Sequence, residues 1–261
     1  MATIAPTETL ASDLRFVPKL AIAMAITVVV GFSFQLAMGR STFASPVRVH
    51  LHAVAFMGWV ALFVTQSWLA TRGPLALHRK LGWIAVGWMV AMVIPAMTVI
   101  VAMARNGTVP FFFTPQQFLI GDPLTLVCFV ALTGTAIARR RETDWHARLQ
   151  VCGMAVLMGP AIGRLLPMPL LIPYAFEWAV AGGLLFPLAG AIRDKRKLGR
   201  AHPAWWWGIG AIVATMVVAN LVTYSPLGDA IYRTVTAGSP GAAIAGLEYP
   251  PPPGTPLRTG H

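Results

Sequence analysis

Charge is what this 261-residue chain has least of: Asp, Glu, Lys and Arg together make up 11% of it, against about a quarter in ordinary soluble domains. Acidic side chains are the scarcer half, nine against twenty Lys and Arg. Cysteine is nearly absent. Cys128 and Cys152 both fall in apolar stretches, and no CxxC or Cys/His spacing exists, so neither a disulfide framework nor a zinc site is encoded. Phosphate-cradling glycine loops, a GxSxG elbow and an HExxH pair are also missing. These absences exclude an ordinary soluble domain, a disulfide-stapled secreted module and the commonest nucleotide-binding, serine-hydrolase and zinc-peptidase sites.

What remains is apolar: 56% of residues are hydrophobic and the mean hydropathy is +0.67. The apolar runs predict an all-α fold, a polytopic transmembrane bundle of seven helices. They fall at about 17–38, 48–70, 80–104, 117–138, 148–172, 174–192 and 204–224. Each approaches or exceeds the roughly 20 residues that cross a hydrocarbon core of about 30 Å at about 1.5 Å per residue. Pro160 and Pro167 read as kinks inside the fifth helix. Residues 1–16 form a polar arm, and the first apolar run, with no small-residue cleavage site behind it, reads as a retained helix. Residues 225–261, rich in Pro and Gly and containing Pro250 to Pro253, predict a disordered, polyproline-like tail.

Basic residues give the orientation, because cytoplasmic loops are enriched in them. Fourteen of the twenty Lys and Arg fall on the N-terminal arm and the second-to-third, fourth-to-fifth and sixth-to-seventh connections; five fall on the other side, and Arg164 lies within a span. The N-terminus is therefore expected inside and the C-terminus outside. The same distribution accounts for the net charge of +11 without a nucleic-acid partner.

Polar groups at membrane depth are expensive and therefore mark function. An inner set comprises His78, His146 and His202, each just before an outward-running helix, and His78-Arg79-Lys80-Leu81 and His146-Ala147-Arg148-Leu149 share a His-x-basic-Leu pattern. Two such imidazoles on neighbouring helices suit the axial positions of one haem iron, with Arg79 and Arg148 placed to neutralise its propionates. The alternative for each histidine is a hydrated interfacial side chain. An outer set comprises His50, His52, Asp122, Arg164 and Glu177. His50 and His52 lie about 200° apart on a helix, so one alone faces the bundle. His52 is the choice, because Phe56, Trp59, Phe63 and Gln66 continue a stripe from it. Arg164, whose burial costs roughly 3 kcal/mol, demands a partner, and Glu177 and Asp122 are the acidic candidates. That pair is either structural or the lining of a ligand cavity that includes His52 and Gln66. Gln66 otherwise serves as a hydrogen-bond donor between helices. His52 with the two carboxylates is a weak match to a divalent-metal shell.

These residues resemble a bacterial integral-membrane family of unknown function. The resemblance rests on His52 opening one span, Gln66 near its far end, His78-Arg79-x-x-Gly82, His146-x-Arg148-Leu149 and Arg164, and covers about residues 48–166. It implies a multi-pass protein of the bacterial cytoplasmic (inner) membrane. More distantly, histidines at helix ends on both faces are similar to ascorbate-reducible b-type cytochromes. Those carry two histidines at each of two haem levels, whereas the outer level here offers only His50 and His52 on one helix. Three functions are compatible: a redox protein with one b-type haem near the cytoplasmic face; a small-solute or ion transporter or sensor with an outer polar cavity; and a scaffold or assembly factor. The bilayer is the implied surrounding, with a membrane-protein partner or a second copy as the implied protein contacts.

Overall fold

A backbone inside a bilayer has no water to bond, so an apolar run must satisfy its own N–H and C=O groups, and a helix does so locally. The computed structural model describes residues 14–252, and among them are nine α-helices and no strand. α1 spans Val17–Ala37, α2 Val47–Arg72, α3 Leu75–Asn106, α4 Pro115–Ala138, α5 Thr143–Val156, α6 Gly159–Leu165, α7 Ala175–Leu198, α8 Pro203–Thr223 and α9 Pro226–Thr236. Six of them, α1 to α4, α7 and α8, are long and apolar enough to cross a membrane. Their outer faces carry Ile22, Ile26, Val54, Trp83, Ile94, Leu185 and Trp207 in the open, far more apolar surface than water tolerates. This is the exterior of a multi-pass membrane protein.

Local chemistry sets the ends. Thr114 caps α4 by accepting the Gln117 N–H, with Pro115 in the first turn, where a missing N–H costs nothing. Gly107 and Gly199 close α3 and α7 with φ of 67° and 77°, a left-handed conformation that favours glycine.

The expected continuous fifth helix is not formed. α5 stops at Val156, α6 runs only to Leu165, and a 3₁₀ turn follows at Met168–Leu171. Two prolines explain both breaks. Pro160 brings no N–H and starts a new helix in its first turn, while Pro167 drives Leu166 to an extended ψ of 150°. The broken segment still runs the length of the bundle. Its start packs beside Ala136, Asp194 and Trp205, and its end joins Ala175, Phe112 and Phe113 at the opposite pole.

α5 is the centre of the core, with every residue from Arg148 to Val156 except Gln150 buried. Two close approaches lock the broken segment in place. Gly31 of α1 meets the Ala161 carbonyl and Gly183 of α7 meets the Ala155 carbonyl, and at either glycine a Cβ would collide with that oxygen.

The tail beyond residue 225 is corrected most. Through Pro252 it folds onto the end of the bundle, and only residues 253–261 of the expected polyproline-like extension, like residues 1–13 of the expected polar arm, lie outside the described residues. Ser225 caps α9 by accepting the Gly228 N–H, and Ile231, Tyr232 and Val235 pack on Ile100, Ala104, Val109, Phe118 and Leu119. The buried Tyr232 hydroxyl donates between the Gly241 and Ile244 carbonyls, at 3.0 and 3.1 Å. Burial raises its pKa, which keeps the proton on the phenol. Arg105 donates to the Val235 carbonyl and the Gln116 N–H to the Gly246 carbonyl, at 2.5 and 2.8 Å.

Tyr232→Phe removes that donor, leaving the Ile244 carbonyl short of a partner and the Gly241 carbonyl with the Ile244 N–H alone. It should destabilise the capping segment by about 1 kcal/mol. Limited proteolysis of the detergent-solubilised protein should then cut within residues 240–250 faster than in the parent, with helical circular dichroism unchanged.

Candidate functional site

At the pole where α2, α4 and α7 end and α3, α5 and α8 begin, charge is concentrated and buried. Arg148 stands one turn beyond Asp144 on α5, and its side chain is 1% exposed. Its Nε donates to Asp194 Oδ2 at 2.8 Å, and its Nη1 to Asp144 Oδ1 at 3.0 Å. Asp194, fully buried, also accepts the Trp205 indole N–H at 2.8 Å and an Arg193 N–H at 3.2 Å. Two guanidinium and two carboxylate groups therefore balance, which offsets a desolvation cost of several kcal/mol per ion. This network joins α5, α7 and α8. It also removes Arg148 from the propionate-binding role expected of it, because its Nε and Nη1 already serve the buried Asp194 and the half-buried Asp144.

His202 caps α8 beside this network, its Nδ1 accepting the Ala204 N–H at 3.2 Å. Burial, and then the Arg148 charge, lower its pKa, so the ring that accepts this bond is neutral. It stacks edge-on against Trp145, apart from the other two inner histidines.

His78 and His146 do meet. Their ring centres are 6.4 Å apart, with planes inclined at 81°. The His146 Nδ1 lies 2.7 Å from the Ala136 carbonyl. A carbonyl only accepts, so Nδ1 carries the proton and Nε2 keeps a free lone pair, the arrangement of a metal-ligating histidine. The His78 Nδ1 is buried with no hydrogen-bond partner, as are the Oε1 of Gln66 and the hydroxyl of Thr133. Gln66 donates across helices to the His78 main-chain carbonyl at 3.2 Å. Arg79 and Lys80 are exposed at the lip.

The outer residues separate into three groups. Glu177 accepts from Gln117 at 3.1 Å and Asn220 at 2.9 Å, and its Oε2 is buried without a partner. The Asp122 carboxylate has no hydrogen-bond or ion-pair partner among the described residues. Arg164 meets neither acid. Its Nη1 donates to Pro160 O at 2.8 Å, its guanidinium lies 4.0 Å over the Phe32 ring, and Gln35 bonds its carbonyl at 2.8 Å. The expected Arg164 ion pair is thus replaced by packing on α1, because the break before Gly159 turns α6 toward that helix. His52 faces inward, stacked on Phe56 at 4.4 Å, while His50 is exposed. No group of three or more His, Cys, Asp or Glu able to hold a metal ion exists among the described residues, so the divalent shell of His52, Asp122 and Glu177 is not formed.

Asp144, Asp194 and Trp205 escaped the sequence reading, as did Gln117 and Asn220. Asp194 left a signal: it is the lone acid in the basic run Arg193-Asp194-Lys195-Arg196-Lys197. The class defined by fold and site is a multi-pass helical membrane protein with a neutral buried ion network and a histidine pair at one pole. No family model, curated protein or solved structure matches the chain.

Asp194→Asn strands Arg148 in a buried setting and should cost about 3–5 kcal/mol. The double variant Arg148→Met/Asp194→Leu should recover more than half of that, read as the midpoint of thermal unfolding in detergent. His202 supplies a pH dependence. A folded pKa below the ordinary value of about 6.5 contributes stability at higher pH that fades as pH falls through and below that value. His202→Asn keeps an acceptor at the cap without titrating, so the loss of melting temperature between pH 8 and pH 5.5 should be smaller in this variant than in the parent.

Proposed function

We propose that this is a redox protein of a bacterial cytoplasmic membrane, carrying one b-type haem near the cytoplasmic face between His78 and His146. The observation that carries the proposal is the pairing of those two rings. Imidazoles on opposite sides of one metal ion, each bonded at about 2 Å, have ring centres roughly 6 Å apart. The observed 6.4 Å fits that distance, and the Ala136 carbonyl fixes the His146 tautomer that ligation needs. The unpartnered atoms of His78 and Gln66, which meet through the Gln66 bond to the His78 main-chain carbonyl, further support a group other than protein there.

His78 and His146 would hold the iron, and Arg79 and Lys80 at the lip are the cations left for the propionates, now that Arg148 is committed elsewhere. When bound, haem supplies a one-electron couple, and the burial of the site sets its potential. The orientation supporting this reading has the basic poles of the bundle inside and the α9 cap outside, with α5, α6 and the following turn making a seventh crossing. The family resemblance of the His78-Arg79 and His146-x-Arg148 motifs agrees with a shared architecture and names no reaction. An outer solute cavity is not favoured, since Arg164, Asp122 and Glu177 do not converge.

The purified, haem-supplemented protein should show a Soret band and one haem per chain by pyridine haemochrome. His78→Ala and His146→Ala should each abolish or strongly shift the band, and His202→Ala should leave it in place. A colourless, iron-free protein, or a band indifferent to both ligand substitutions, would overturn the assignment.

A further inference from the structure

At the pole away from the histidine pair, α9 and the segment that returns beside it, residues 242–248, stand apart and leave a cleft of about 540 Å³. That is the size range of small-molecule sites and far more than a bare ion fills. Tyr224, at the end of α8, and the α9 residues Asp229 and Arg233 line one side; Leu247 and Glu248 line the other. Gln116, 1% exposed, is the floor.

Apart from the Tyr224 hydroxyl at the rim, the hydroxyls of this cleft are committed to the chain. Ser225 donates to the Val222 carbonyl and Thr236 to the Tyr232 carbonyl, each at 2.8 Å, and the Tyr232 hydroxyl is held between the Gly241 and Ile244 carbonyls. Arg233 and Asp229 pair with each other at 3.0 Å, so their charges cancel. Two acceptors are left. The exposed Glu248 carboxylate has no hydrogen-bond or ion-pair partner among the described residues. Gln116 commits its Nε2 to the Thr223 carbonyl, at 2.5 Å, and its Oε1 takes no hydrogen bond among the described residues. This oxygen is reached across Gly246, where a Cβ would stand 2.5 Å from it. A further carboxylate lies behind Tyr224. Asn220, one turn earlier on α8, donates to Glu177 Oε1 at 2.9 Å, while the buried Oε2 has no partner. Burial, and then the charge of Glu177, raise the Tyr224 pKa.

We infer that this cleft binds an organic ammonium ion, a protonated amine carried on an apolar body. An ammonium brings N–H donors to the two free acceptors, and positive charge to a cleft with two carboxylates and one guanidinium. The Tyr224 ring, 59% exposed at the rim, offers the π face that such a cation prefers, and Leu247, Ala242 and Ala243 receive the carbon body. An anion would meet the excess of carboxylate. A metal ion lacks its ligands, since no three His, Cys, Asp or Glu converge among the described residues. The ammonium belongs either to a free amine or to the ethanolamine head of a lipid. The site stands apart from the histidine pair, and its existence does not depend on haem.

The test is calorimetric titration of the full-length protein in detergent with phenethylamine, tryptamine and hexylamine, beside phenylacetate and phenethyl alcohol as the matched anion and neutral compound. Saturable one-to-one binding of at least one amine, and of neither control, is expected. Glu248→Lys, at an exposed position outside the core, should weaken it about tenfold, and Tyr224→Leu about threefold. Glu142→Lys makes the same change of charge at the opposite pole and should leave the affinity as it was. Displacement of the amine by dihexanoyl phosphatidylethanolamine would assign the ammonium to a lipid head, and its failure to compete would assign it to a free amine. No saturable binding by any of the three amines, equal binding of phenylacetate or the alcohol, competition by dihexanoyl phosphatidylglycerol, or an affinity unchanged in Glu248→Lys would overturn the inference. The haem spectrum is read separately, so either result stands whatever the other shows.

Discussion

The buried bond between Arg148 and Asp194 is the constraint on which the rest of this bundle depends. It ties the most enclosed helix, α5, to α7 and, through the Trp205 indole, to α8. Apolar packing alone defines such a junction poorly in a membrane, because lipid tails are as apolar as the side chains that would pack. A directional, charge-assisted contact instead sets the rotation of α5 and its depth. Once Arg148 is fixed, His146, two residues earlier on the same helix, is held where its ring reaches both the Ala136 carbonyl and His78.

The broken segment of α5 and α6 shows how charge balance differs between two buried arginines. Around Arg148 two cations face two anions, each paired within the protein. Around Arg164 the guanidinium lies over the Phe32 ring, and its buried Nε has no acceptor. The first arrangement is complete as folded chain. The second leaves a donor dry within the bundle, which carries a physical cost.

Six spans were legible from apolar run length, most ends falling close to those observed and the furthest, Leu75 and Leu198, extending past the expected 80 and 192, because inside a bilayer burial and helix formation select the same residues. The stretch expected as one more continuous span is instead two short helices and a turn. Reading Pro160 and Pro167 as kinks kept Arg164 on one continuous helix, whereas two true breaks turn it toward Phe32 and Gln35. The meeting of His78 and His146 was legible from the repeated His-x-basic-Leu starts. The partner of Arg148 was not, because Asp194 lies 46 residues away among cations that read as a solvated loop. The α9 cap was written in Ser225-Pro226 and in apolar residues at helical spacing, but the proline-rich composition around it outweighed that pattern.

The elbow between α5 and α6 has a consequence for biogenesis. Neither of its two helices is long enough to partition into lipid by itself, and the first carries Asp144 and Arg148. Its backbone carbonyls are sealed by Gly31 from a helix made before it and Gly183 from a helix made after it. The elbow therefore becomes a stable part of the bilayer only when an early and a late helix close on it together. Insertion of this protein has an order built into its chain, and its central element is the last to settle.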